Sequence, residues 1–223
     1  MRLRPLIAAA GLLAALAAAG PAQAMTFRLV SVGGDCGQAC PQVIAAEGEI
    51  ERNSAETFAA FVRQRIGTGR LRNIIFLHSP GGNVVGAIKL GALFRRVGSA
   101  VVVAQAREGQ GVGADASFLS ARCMSACVYA LMGGKRRVIP PQSQLGVHRT
   151  SSFQFVGKDP ANTDPGYQRI KTPEALVAAL TAYTKSMGVS TAVIDAAQAT
   201  PHETIRVLTR QELAKWRLGV EKL

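Results

Sequence analysis

Acidic residues are scarce in this chain. It holds 14 Asp and Glu against 26 Lys and Arg over 223 residues, a formal net charge of +12. Such a surplus suits nucleic acid, an anionic envelope surface or an acidic protein. Aromatic residues are scarce too, at 5% with one tryptophan. None interleaves the basic clusters at Arg63, Arg65, Arg70 and Arg72 or at Lys135, Arg136 and Arg137. That argues against base stacking, and nucleic acid is not an expected partner. A solubilising basic surface is the plainer reading. No internal repeat is present, and beyond the first residues no run is apolar enough to cross a bilayer.

The first residues differ from the rest. Arg2 and Arg4 precede an apolar run over residues 6–20, and Ala22-Gln23-Ala24 forms an A-x-A site. This is the pattern of a secretory signal peptide cleaved after Ala24. The run is too short for a comfortable span, so no stable membrane insertion is expected after cleavage. The expected organisation is a signal peptide over 1–24 and one domain over 25–223, periplasmic or secreted.

Four cysteines in an exported chain fit disulfides. They fall into two local pairs, Cys36/Cys40 and Cys123/Cys127. Three connectivities are open, and cheap short-range closure favours the local pairs. A four-thiolate zinc site is the alternative. The loose C-x3-C spacing and the oxidising route count against it, so no metal is expected.

Strand and helix patterns alternate along the chain. Strands are read over 26–32 and 43–50, and a helix opens at Asn53 with Glu56 three residues on. A strand follows over 74–78, then a helix over 84–97 with Asn83 as its cap, then a valine-rich buried strand over 100–104. Residues 107–120 read as a glycine-rich loop, 126–132 as an apolar helix, and 138–139 and 145–148 as short strands. Residues 151–171 read as a long loop. A helix over 172–186, with Thr172 as its cap and Pro173 at its first position, and a helix over 190–199 come next. A strand over 205–208 and a Thr209/Glu212 capping box precede the last helix. This order implies a mostly parallel α/β sheet with right-handed crossovers.

Chemistry concentrates between Asn73 and Thr150. An apolar strand ends in His78-Ser79-Pro80-Gly81-Gly82. Cys123-Met124-Ser125-Ala126-Cys127 is a small-residue turn opening a helix. Gly134-Lys135-Arg136-Arg137 follows, and Leu145-Gly146-Val147-His148 ends a strand on histidine. A Gly-Gly turn, a serine at a helix start and a histidine at a strand end are the parts of a serine hydrolase. Ser79 and Ser120 are lesser nucleophile candidates, and His78 a second candidate base.

These four pieces, in order and spacing, resemble the proteolytic subunit of Clp protease and its relatives in the ClpP/crotonase superfamily. The closest look is to exported ClpP-like proteins carrying Ser-Ala-Cys. The resemblance covers about half the chain, from Val43 to Thr150, and weakly the tail. It implies a spiral of ββα units, with Ser125 as nucleophile and His148 as general base. Gly81, Gly82 and Ala126 would supply an oxyanion hole. It implies no metal and no organic cofactor. It implies peptide or unfolded-protein substrates and leaves a homo-oligomer open. The loop over 151–171 does not read as the family's projecting handle.

The acid is where the match breaks. Aligning the family's C-terminal strand with Arg206-Val207-Leu208 puts Ile205 at the aspartate's position. Glu203 is the weak candidate, and a Ser-His dyad is the alternative. The expected function is an exported serine peptidase-like hydrolase with a dyad or incomplete triad. A catalytically inactive ClpP-like scaffold or binding protein of the envelope is the second reading. An acyl-CoA enzyme of the crotonase branch ranks last, because that substrate is cytosolic.

Overall fold

A computed structural model describes residues 23–32, 39–65, 69–106, 119–155, 167–170 and 172–222. Strands β1 (Thr26–Ser31), β2 (Gln42–Glu47), β3 (Leu71–His78), β4 (Ala100–Val102) and β6 (Arg136–Val138) form a five-stranded sheet in the order β1-β2-β3-β4-β6. All its pairings are parallel except β1 with β2. The residues of β2 and β4 are mostly buried, as strands covered on both faces require. A second sheet sets β7 (Gln144–Val147) between β10 (Arg206–Val207) and β5 (Arg122–Met124), parallel to β5. Ser79 and Cys123 form a parallel bridge that joins the end of β3 to β5.

Helices α1 (Ser54–Arg63) and α2 (Val84–Arg96) follow β2 and β3. Asn83 caps α2 as its position predicts, accepting from the Gly86 N–H at 2.9 Å. Asn53 precedes α1 but makes no side-chain cap bond. Phe27, Phe58 and Phe94 stack edge to face at 5.2 and 5.1 Å and tie β1, α1 and α2 together. Helix α3 (Cys127–Met132) is wholly buried and packs on α2. Helices α4 (Glu174–Ser186), α5 (Ala192–Ala199) and α6 (Arg210–Lys215) close the fold. Thr209 and Glu212 form the expected capping box on α6. The hydroxyl of Thr172, expected to cap α4, bonds Thr150 instead.

One departure from the sequence reading matters. Residues expected as a loop hold an antiparallel hairpin, β8 (Ser152–Phe155) with β9 (Tyr167–Ile170). The alternation in Phe153-Gln154-Phe155 carried that signal, and the Gly- and Pro-bearing stretch between the strands obscured it. The loop read over 107–120 falls largely outside the described residues. At the other end, Gln23 and Ala24 lie beside Glu49, whose N–H donates to the Gln23 carbonyl at 2.7 Å.

Backbone strain is confined. Among the described non-glycine residues, only Ser125 (φ 55°) and Arg217 (φ 57°) adopt the left-handed conformation. Each costs roughly 1–2 kcal/mol on intrinsic preference.

Candidate active site

Ser125 lies in the turn between β5 and α3, and its strained φ lifts the side chain out of the run of strand into helix. Its own N–H donates to the Gly146 carbonyl at 2.8 Å, which pins the turn to β7. A Cβ on Gly146 would stand 2.5 Å from both Met124 Sδ and Ile205 Cγ2, so a larger residue there would have to displace these side chains. Strand β7 ends at Val147, so the next residue, His148, leaves the sheet beside the serine. Ser125 Oγ and His148 Nε2 are 2.7 Å apart.

The other imidazole nitrogen fixes the direction of that bond. His148 Nδ1 lies 2.6 Å from the His202 carbonyl. A carbonyl only accepts, so Nδ1 carries the proton and Nε2 is left to accept from the serine hydroxyl. The turn after α5 places that carbonyl. The Arg149 N–H donates to Thr200 O at 2.9 Å and Arg149 Nε to Gln198 O at 2.8 Å. His202 stacks on His148 with centroids 4.6 Å apart, and its Nδ1 donates to the Arg149 carbonyl at 3.1 Å.

Glu203 is exposed and is not the group at His148 Nδ1. Its charge acts on the imidazole only from nearby. Burial holds the His148 pKa below the ordinary histidine value; the His202 carbonyl opposes this, the His202 ring adds to it, and Glu203 opposes it most weakly. The imidazole is therefore neutral near pH 7.

The Gly-Gly turn is docked against the elbow. Met124 N–H donates to Ser79 O at 3.1 Å and Ser79 N–H to Arg122 O at 3.0 Å. A Cβ on Gly81 would lie 2.8 Å from both Met124 O and Ser125 Cβ, so glycine permits the approach. The Gly81 N–H is already engaged, donating to Ser79 Oγ at 3.0 Å. The Gly82 and Ala126 N–H groups donate to no protein group among the described residues. The three expected oxyanion donors thus narrow to two free amides. Ser79 is fully buried and shapes this turn. His78 accepts from the Arg122 N–H at 3.1 Å, a link between β3 and β5.

Cys123 and Cys127 are joined by a disulfide that brackets Ser125. Cys40 is also disulfide-bonded, and its expected partner Cys36 lies outside the described residues. Closing so short a loop contributes about 2 kcal/mol. Replacing Cys123 and Cys127 together by alanine should lower unfolding free energy by about that amount in a urea titration. A loss near zero would show that the elbow holds without the bridge. Among the described residues no cluster of three or more His, Cys, Asp or Glu could hold a metal ion.

Beside Gly82 runs a cleft of about 820 Å³ lined by Glu49, Ile50, Val84, Ser151 and Ser152 among others. It is large enough for several residues of extended peptide.

Solved structures share this architecture. A serine-to-alanine mutant of the 1510-N membrane-bound stomatin-specific protease superposes with a TM-score of 0.51 at 16% identity, over 80% of this chain and 78% of that one. A lysine-to-alanine mutant of the same protease, in complex with a substrate peptide, gives 0.51 at 18% identity over 80% and 74%. The fold is the ClpP type. No family model matches the chain. No curated protein matches it. At such identities the shared property is the fold, and the function of this ClpP-type chain rests on its own residues.

His202 was not anticipated. A main-chain carbonyl leaves no residue-type signature, and the sole hint was the presence of a third histidine.

Proposed function

We propose that this protein is an exported serine peptidase that cleaves peptides or unfolded proteins with Ser125 and His148. The observation that carries the reading is the 2.7 Å contact of Ser125 Oγ with a His148 ring whose Nδ1 is held by a carbonyl. Ser125 Oγ attacks the scissile carbonyl carbon while its proton passes to His148 Nε2. The Gly82 and Ala126 amides hold the oxyanion, a stabilisation worth roughly 3 kcal/mol per donor in other enzymes. His148 then gives the proton to the leaving amine as the C–N bond breaks. Water, activated by the same imidazole, hydrolyses the acyl-serine. The His202 carbonyl holds the tautomer, the task a carboxylate has in a full triad. Peptide as substrate is supported by the cleft at Gly82 and by the peptide-bound protease of like fold. Export is supported by the residue 1–24 pattern and by the bridge at Cys123–Cys127, which suits an oxidising compartment.

The second reading is an inactive scaffold. What favours it is that His148 Nδ1 is held by a main-chain carbonyl, with no hydrogen bond to a carboxylate among the described residues. Fluorophosphonate labelling of the oxidised chain from Met25, read by peptide mass spectrometry, separates the two. The peptidase gives an adduct on Ser125 that is absent from Ser125→Ala. A folded protein with its disulfides intact and no adduct at Ser125 would sink the peptidase and leave the scaffold.

A further inference from the structure

A second cleft lies between β6 and the C-terminal segment, and it shares no lining residue with the Ser125 site. Its volume is about 680 Å³. Five cations, Lys135, Arg136, Arg137, Arg210 and Arg217, line it against one acid, Glu221. Ile139 and Leu213 give it an apolar floor, and Val220, 57% exposed, stands at its edge.

Among the described residues no carboxylate neutralises the charge of this cleft. Among the described residues no ion pair involves any of the five cations. Arg137 donates to the carbonyls of Leu218 at 3.0 Å, Gly134 at 3.1 Å and Arg217 at 2.8 Å. Arg210 donates to those of Ile139 at 2.9 Å and of Pro140 and Ser143 at 2.8 Å. Carbonyls orient a guanidinium but carry no net charge, so both charges persist. Burial first, then the neighbouring charges of Arg95 and Arg217, hold the Arg137 pKa below its usual range. A bound anion would relieve that repulsion.

Arg217 gives an independent sign. It follows the C-cap of α6 in the left-handed conformation, with its N–H on Ala214 O at 3.0 Å and the Leu218 N–H on Leu213 O at 2.9 Å. Glycine is the residue that suits this position. The arginine side chain is exposed and donates to no protein group among the described residues.

We infer that this cleft docks an acidic segment of a partner protein, with an apolar side chain on the Ile139–Leu213 floor and flanking carboxylates on the cationic rim. The concave shape favours an inserted segment over a flat membrane surface. A second copy of this chain has few acids to offer, with 14 against 26 basic residues. Complementary rim charges set association rate and salt dependence.

The test is fluorescence anisotropy with a labelled peptide of alternating glutamate and leucine, against one of alternating lysine and leucine. The oxidised chain from Met25 should bind the acidic peptide saturably, at least about tenfold more weakly at high salt than at low. It should ignore the basic peptide. The Lys135→Glu/Arg136→Glu variant should lose binding. Arg217→Gly should weaken binding about three- to tenfold while its melting temperature rises, because glycine relieves the strained φ. A merely structural arginine would instead lose stability along with binding. No saturable binding, equal binding by the charge-reversed variant, or binding only to phosphatidylglycerol-rich vesicles would overturn the proposal.

Discussion

Replacing His148 by alanine should slow acylation of Ser125 by roughly 10²- to 10⁴-fold without unfolding the protein. Among the described residues the imidazole is the one base hydrogen-bonded to the serine hydroxyl, at 2.7 Å, and a hydroxyl without a base is a poor nucleophile. Glu203→Gln should change the same rate by less than about threefold. Were Glu203 the orienting acid, amide substitution would misplace the tautomer and cost about 10⁴-fold. Pre-steady-state labelling of the two variants reads both numbers. The pH profile follows from the same environment. Protonated His148 cannot accept the serine proton, so the rate falls as acid is added. Burial lowers the His148 pKa, and the acid limb should lie below the ordinary histidine value of 6.5. A limb above that value would show that His148 is stabilised in its charged form, and the geometry would need another account. A Glu203→Gln loss near 10⁴-fold would give the third role to the carboxylate.

Gly133→Ala should destabilise the protein by about 3 kcal/mol or more and abolish labelling at Ser125 at temperatures where the native protein is stable. Gly133 ends α3 where α3 crosses α2. An added Cβ would lie 1.9 Å from Gly91 O and 2.5 Å from Gly91 Cα. Both are backbone atoms of α2, which cannot swing aside as a long side chain can. The opposing position is equally tight, since a Cβ on Gly91 would lie 2.1 Å from the Tyr183 hydroxyl. That hydroxyl donates to Tyr129 O at 2.8 Å. The helices must therefore part, and α3 is the helix that begins two residues after Ser125. Denaturant titration gives the stability loss. A variant with native stability and native labelling would mean that the crossing relaxes at no cost.

Several parts of this arrangement could be read before any coordinates. The strand into Ser79-Pro80-Gly81-Gly82, the turn at Ser125 and the strand into His148 carry their signal in short-range pattern, and the structure places Ser125 against His148. The capping signals divided by physical cause. Thr209 and Glu212 are joined by local geometry alone and cap as predicted. Thr172 was drawn to Thr150 by a long-range contact that no local pattern encodes. The second sheet was likewise hidden, because β5 falls partly in residues that read as a turn and β7 reads as one more strand of a single parallel sheet. Within the site, the hidden groups were main-chain ones: the engaged Gly81 N–H and the His202 carbonyl.

That carbonyl has a consequence in heredity. A triad ending in a carboxylate can be broken by one base change in one codon. Here the group holding the imidazole is a peptide unit, and no substitution at position 202 deletes it. What aims it is the path of the chain from Gln198 to Thr204, laced to Arg149. The inherited property is therefore a length. Point changes across this turn are tolerated so far as they keep its course, whereas gain or loss of a single residue there would displace the acceptor.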